Sequence, residues 1–303
     1  MPRVLHTAQA LVDLVVEVPA LPPRGGNVNA ADAHRFAGGA VNILVAAARA
    51  GAEAVHGGAH GTGPNGDLVR EALAADGVAL ATGPIADKDT AECIVLVEPS
   101  AERTFVTGYG AERRITAASL SRLDPQPGDL LCLSGYSFFA PTRDPLLEWL
   151  EQIPDGVEVV LDPGAPFASF DEELRERVLR LVTVWTSNAD EALALTDRDG
   201  LEDTPEALHR RIRPGGVVIV RDGKRGCTVF HHGRGTSLPG FPQTPVDTNG
   251  AGDTHTGVLL AERALGADWE TAATRANAAA AIKVTRRGPA TAPTRAEVDA
   301  FLA

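Results

Sequence analysis

The chain has 303 residues, 44% of them hydrophobic, with 28 lysines and arginines against 40 aspartates and glutamates, a formal net charge of -12. Such apolar content excludes a disordered chain, and an acidic balance without a basic run excludes a phosphate-backbone binder, so no nucleic-acid partner is expected. Cys93, Cys132 and Cys227 lie far apart with no C-x-x-C pair, which excludes a zinc knuckle or disulfide framework and fits a reducing cytoplasm.

In chain order, MPRVLHTAQA does not read as a secretory leader, and no apolar run reaches about 18 residues, so a cytoplasmic protein with no membrane partner is expected. LVDLVVEVP and the stretch reaching Phe36 read as strands. AVNILVAAARAG, Ala40 to Gly51, reads as a helix apolar on nearly every face, hence buried, and stopped by its glycine. Asn42 in its first turns must find a polar partner, either within the core or on a ligand. Asp13, between LV and LVVEV, is either a strand-edge charge or a fixed acceptor for substrate hydroxyls. GGAHGTGPNG, near Gly57, lacks the spacing and acidic partner of a dinucleotide fingerprint and is expected to form a loop.

AECIVLVEPSAERTFVTGYG, residues 91 to 110, reads as a hairpin about EPSAER. With the segments at roughly 11–18 and 27–37 it is expected to build a small sheet beside the main one, as a lid over a ligand or as an ordinary edge extension. Phe105 and Tyr109 alternate there, placed over the substrate or in the lid's own core. LLCLSG at 130–135, VEVVLD at 157–162, LVTVWTSN at 181–188 and VVIVRDG at 217–223 are short β-branched runs. Helical patterns near 142–152, 171–180 and 204–213 separate them, the order of an α/β fold with a mainly parallel sheet covered on both faces. One domain over 1–303 is expected.

Three later segments carry chemistry. Asn188 and Glu191 have the spacing of a capping box, and equally of an amide near phosphate and a carboxylate holding Mg²⁺ through water. Arg221 to Gly226 reads as a tight turn between strands. His231 and His232 are adjacent and lack a third ligand, so no metal is assigned to them. PVDTNGAGDTHTG, residues 245 to 257, places glycines at the start of a helix ended by Gly266. The amides of Gly250, Ala251 and Gly252 can converge there on an anion beside the helix's positive end. A carboxylate at Asp253 repels a phosphate ligand, but it suits a base that takes the proton of an attacking hydroxyl. The same residues also read as a plain turn with Asp253 as N-cap.

DTNGAGD resembles the C-terminal signature D-T-x-G-A-G-D of the ribokinase-like, or PfkB, carbohydrate kinases. GGAVNILVAAARAG, N-A-D-E at 188–191, Ala101-Glu102-Arg103-Thr104 and AAIKVTRRGPATAPT are similar to further family elements, so the likeness runs from about residue 4 to the C-terminus. The phrases LVEPSAERTF and LSGY are more similar to bacterial sugar kinases of unassigned substrate than to ribokinase itself. The resemblance implies a three-layer αβα fold with a small β-sheet lid. It implies sugar contacts from Asp13, Gly38, Gly39 and Asn42, although the chain has Ala8 where the family usually has glycine. Asn188, Glu191, Arg221, Gly223, Lys224, Gly226 and Asn277 match positions around the nucleotide, Asn277 near its adenine and opening a helix NAAAAIKV. Asp247, Asn249 and Gly288 match a monovalent-cation site.

The function so implied is ATP-dependent phosphorylation of a sugar-like hydroxyl, using ATP and Mg²⁺, with K⁺ as the candidate ion of the monovalent-cation site, in a homodimer. Ser134 and Gly135 stand near the position of an acidic sugar contact in ribokinase, which leaves a nucleoside kinase open. A non-catalytic sugar or nucleotide sensor is the reading from another class. A dehydrogenase is disfavoured, because the first strand region has no G-x-G-x-x-G.

Overall fold

A computed structural model describes residues 1–100 and 102–303. β1 (Val4–His6) runs into β2 (Ala10–Glu17) and β3 (Asp32–Gly39), and α1 (Ala40–Arg49) follows β3 directly. Next come β4 (Ala54–His56), α2 (Pro64–Ala75), β5 (Ala79–Leu80), β6 (Glu92–Val97) and β7 (Arg103–Thr107). The middle of the chain holds α3 (Ala117–Leu120), β8 (Leu130–Ser134), α4 (Arg143–Leu150), β9 (Glu158–Asp162), α5 (Glu172–Leu179), β10 (Val184–Asn188) and α6 (Ala189–Thr196). The last part holds α7 (Thr204–His209), β11 (Val217–Arg221), β12 (Gly226–His231), β13 (Arg234–Pro239), α8 (Ala251–Ala264), α9 (Trp269–Lys283) and α10 (Arg295–Leu302).

Among the described residues nine strands form the main sheet, in the order β13-β12-β11-β10-β9-β8-β1-β4-β5. The run from β11 to β5 is parallel, and β12 and β13 add an antiparallel edge. The strands read as unbroken apolar runs because both faces are covered. Leu130 and Cys132 join a core with Ile43 of α1, Leu259 of α8 and Ala276 of α9. Leu131 and Leu133 join another with Leu146 of α4 and Val178 of α5. Alternate residues of one strand thus feed the two layers. The three-layer α/β class expected from the sequence is the one observed.

A separate sheet runs β3-β2-β6-β7. The hairpin about EPSAER pairs Cys93 with Thr107 and Val97 with Arg103. Ala101 of the A-E-R-T stretch lies outside the described residues. Asp13 stands opposite Phe36 on one side and Cys93 on the other. Residues two apart share a face, so Asp13, Cys93, Thr107, Phe105 and Arg103 look the same way. Phe105 and Tyr109 are 58% and 65% exposed, so they do not form a core within this sheet. Tyr109 stacks under the Arg113 guanidinium, 4.8 Å from its ring centroid.

Two local readings are corrected. The GGAHGTGPNG run is not all loop, because Pro64 takes the first helical position of α2, where its missing N–H costs nothing. Asn277 does not open a helix. α9 starts at Trp269, where the Asp268 side chain accepts from the Thr271 amide, and Asn277 lies inside it.

Candidate active site

Ser134, Asp162, Asn188 and Arg221 are the last residues of four neighbouring parallel strands, and Ser134 registers with Asp162 as Asn188 does with Arg221. Ligands of open α/β sheets bind outside these carboxyl ends. The PVDTNGAGD segment and α8 close over the same end.

Asp253 lies in the first turn of α8, whose N-cap is Gly250 at φ 75°, so Asp253 is not itself the cap. Asn42 Nδ2 donates to Asp253 Oδ2 at 2.8 Å. This meeting across 211 residues depends on helix contact: a Cβ on Gly257, one turn beyond Asp253, would stand 2.3 Å from the Ile43 carbonyl oxygen. Only glycine lets α1 and α8 come this close. Asn42 is 5% exposed, and its Oδ1 is buried with no partner among the described residues. An unmet acceptor there fits a ligand hydroxyl.

Gly38 and Gly39 turn β3 into α1. The Ala40 amide donates to the Gln9 carbonyl at 2.9 Å, and the Asp13 carboxylate lies against Gly38, where a Cβ would be 2.2 Å from Asp13 Oδ2. Burial raises Asp253 to about 6, against the Asn42 hydrogen bond. Burial, and after it the charge of Asp253, raises Asp13 to about 7. Burial thus holds both carboxyls above the ordinary carboxylate range, a perturbation common where carboxyls take part in proton transfer.

Of the three expected anion-holding amides, Ala251 N donates to the Thr248 carbonyl at 3.3 Å and is partly engaged. Gly250 has no side chain to cap the helix, which leaves the first-turn amides of Gly252 and Asp253 for a ligand. Among the described residues, only Ala251 of the amides named from the sequence is thus engaged within the loop, and the Asp253 amide adds a further first-turn donor beside them.

Arg221 backs this nest, with its guanidinium in ordinary contact range of Gly252. It does not project freely towards a nucleotide. Its Nη1 donates to Thr186 Oγ1 at 2.9 Å and Thr256 Oγ1 at 2.8 Å, and Nη2 lies 3.5 Å from Asp162 Oδ2. Thr256 Oγ1 donates to the same Asp162 oxygen at 3.1 Å. The sequence reading missed Asp162, Thr186 and Thr256. A carboxylate closing VEVVLD at a parallel strand's carboxyl end was the available signal for the first.

Asn188 and Glu191 form the capping box of α6: the Glu191 amide donates to Asn188 Oδ1 at 2.8 Å and the Asn188 amide to Glu191 Oε2 at 2.9 Å. Burial, then Asp162, raises Glu191, with Arg221 opposing. Two carboxylates thus flank one guanidinium beside the nest, a set that can face a hydrated Mg²⁺. Gly223 and Lys224 sit on an exposed turn, and Gly226 packs against the Leu238 carbonyl, where a Cβ would be 2.1 Å away. Arg225 pairs with Asp222 instead of reaching the nest.

The Asn277 amide is spent inside the fold, donating to the Pro239 carbonyl at 3.2 Å and bonded to His255 Nε2 at 3.1 Å. It ties α9 to α8 and the sheet edge. Ser134 Oγ accepts from the Tyr136 amide at 3.3 Å, and Gly135 is buried where a Cβ would be 1.8 Å from the Pro163 carbonyl. The geometry gives these two residues a local structural task.

Asp247 braces the loop: Oδ1 accepts from the Asn249 amide at 2.8 Å and Oδ2 from the Gly288 amide at 3.0 Å. Phe36 of the small sheet lies against Gly288. Arg103 reaches down from β7, donating to Thr248 Oγ1 at 2.7 Å, with Asn249 Oδ1 at 3.5 Å. The small sheet is thereby fastened to both loops around the nest.

A family model described as pfkB family carbohydrate kinase matches residues 1–295. The chain is 33% identical over 298 residues to the uncharacterized sugar kinase YegV of Escherichia coli, spanning 97% of this chain and 92% of that protein. It is 28% identical over 304 residues to the ribokinase of Haemophilus influenzae, spanning 96% and 95%. The Arabidopsis thaliana ribokinase solved with ribose and ATP superposes with a TM-score of 0.80 at 22% identity, over 99% of this chain and 97% of that one, a likeness of fold.

Proposed function

The chain belongs to the pfkB family of carbohydrate kinases and is a phosphotransferase, and from that premise we propose that it moves the γ-phosphoryl group of ATP to a hydroxyl of a sugar-like substrate. The observation that carries the reading is the Asn42–Asp253 pair at the start of α8, with Asn42 Oδ1 unpartnered beside it. Bound MgATP supplies the electrophilic phosphorus and the metal's charge.

The chain's own residues do the rest. Asp13 accepts from substrate hydroxyls, and Asn42 Oδ1 accepts from another while Nδ2 orients Asp253. The free Asp253 carboxylate oxygen takes the proton as the hydroxyl oxygen attacks, while the Gly252 and Asp253 amides receive the charge gathering on the phosphoryl oxygens. Arg221 holds positive charge behind them. Asp162 and Glu191 are the carboxylates offered to the hydrated Mg²⁺. The small sheet acts as a lid, supported by the site-facing row from Asp13 to Arg103. Cytoplasmic residence and a homodimer belong to the same reading; Ile94 and Val106, opposite each other across β6 and β7 and both exposed, support pairing of two copies.

The direct test is ADP release with ATP and Mg²⁺ over sugars, sugar acids and nucleosides. One acceptor class should give saturable turnover with a phosphorylated product, and ATP binding without turnover on any acceptor would leave a sensor. Nucleosides belong in the panel because the strand end at Ser134 carries a hydroxyl, itself accepting from the Tyr136 amide, and no carboxylate.

The pH profile follows from the Asp253 carboxyl. Asp253 must be ionised to accept a proton, and it sits at about 6 with Asp13 at about 7. With Asp253 as the one group whose ionisation the transfer requires, kcat/KM is expected to level off above neutrality and to fall about tenfold per unit below pH 6. A profile unchanged down to pH 4.5 would remove Asp253 from the proton transfer.

A further inference from the structure

Lys283 closes α9 and is fully buried, an unusual place for an ammonium. Its Nζ donates to the Asp247 carbonyl at 2.8 Å, lies 3.5 Å from the Arg286 carbonyl and 4.0 Å from Asp247 Oδ2. The two carbonyls come from the two loops that frame the nest. One of them carries Thr248, Asn249 and Gly250; the other runs through Gly288 to Pro289, whose carbonyl blocks any Cβ on Gly250. A single positive charge therefore joins the segments that fix the helix start.

Oxygen donors of this kind, carbonyls with one carboxylate, are what a monovalent cation takes. The residues aligned with a cation site do not fit a free ion here. Asp247's oxygens accept from Asn249 and Gly288, and its main-chain carbonyl is occupied by the ammonium. A second positive charge within about 4 Å of Nζ would be repelled strongly in a buried setting. Burial lowers Lys283 from its ordinary value, while the Asp247 and Asp253 carboxylates hold the charge on and Arg103 opposes them.

We propose that the Lys283 ammonium is a tethered replacement for a monovalent cation, positioning the 247–250 and 286–289 loops so that the nest is built without K⁺. Lys283 is a positioning residue: it touches neither the proposed acceptor hydroxyl nor the nest amides. The proposal rests on the reading of that nest as the phosphoryl site.

The experiment compares KCl with tetramethylammonium chloride at equal ionic strength, on the full chain and on Lys283→Met, by thermal melting and by ADP release. The parent should melt at the same temperature and turn over within twofold in the two salts. Lys283→Met should melt several degrees lower in tetramethylammonium, lose turnover at least tenfold, and regain part of both in K⁺, which enters the vacated oxygens. Saturable K⁺ stabilisation or activation of the parent overturns the proposal, and this arm stands even if the variant does not fold. So does a folded Lys283→Met that ignores the choice of cation. The melting arm does not depend on catalysis: no turnover on any acceptor would sink the phosphotransfer reading while the melts still judge Lys283.

Discussion

Asp253→Asn is expected to fold, to melt no lower than the parent and to lose about 10²–10⁴-fold in phosphoryl transfer. The two effects come from one cause. Burial raises Asp253 from 3.8 to about 6, so the folded chain holds a proton between those values that the unfolded chain has released. The fold is therefore favoured as pH falls through that window, and above pH 6 it bears the cost of a buried charge. At roughly 1.4 kcal/mol per pKa unit, reduced for the residue's partial exposure, that cost is about 1–2 kcal/mol.

Asparagine keeps the shape, and its carbonyl can still accept from Asn42 Nδ2, but it needs no solvation of a charge and cannot take a proton. At pH 8 the variant should thus melt a few degrees higher, and the gap should narrow towards pH 4 as the parent becomes protonated. Melting curves at both pH values, set beside ADP release with the accepted substrate, check the pair of outcomes. A variant that keeps full activity would remove the base. One that is inactive and also less stable at pH 8 would show that Asp253 serves the fold, and the assignment would again fail.

The parts of the molecule legible in the sequence were those set by local periodicity. Runs such as LLCL and VVIV are apolar at every position because alternate residues enter two different cores, and that requires a sheet covered on both faces. The hairpin at 91–110 was legible for a similar reason, since turn residues separate two β-branched runs. Asn277 was misread because an asparagine before four alanines looks like a cap, whereas the Asp268 cap starts α9 two turns earlier and the amide finds His255 and the Pro239 carbonyl.

Arg221 shows the same limit at the site. From the sequence it is the edge of a turn, and its three polar partners come from β9, β10 and α8, which only the sheet order brings together. Lys283 was invisible for the same reason: the carbonyl that holds its ammonium is 36 residues away. Backbone oxygens leave no mark on a sequence.

Gly250→Ala should be the most damaging single-methyl change in the nest, and comparison with Gly252→Ala isolates why. Gly250 sits at φ 75°, where a Cβ costs about 1–2 kcal/mol from local strain alone. That Cβ would also stand 2.3 Å from the Pro289 carbonyl oxygen, so either the helix start or the 286–289 loop must move. Neither can move freely, because the Gly288 amide is bonded to Asp247 and Phe36 rests against Gly288. Displacing the helix start swings the Gly252 and Asp253 amides off the developing charge. Losing one such donor costs about 10²–10³-fold in turnover, and two donors move together here.

At Gly252 a Cβ would meet only the Arg221 guanidinium, at 3.6 Å, an ordinary contact, and alanine is the better helix former by about 1 kcal/mol. Gly252→Ala is therefore expected to melt at or above the parent, and Gly250→Ala to melt several degrees below it and lose at least 10²-fold in kcat/KM for ATP. Equal melting temperatures for the two variants would show that the 286–289 loop yields to the methyl group, and the steric account of the nest would be wrong.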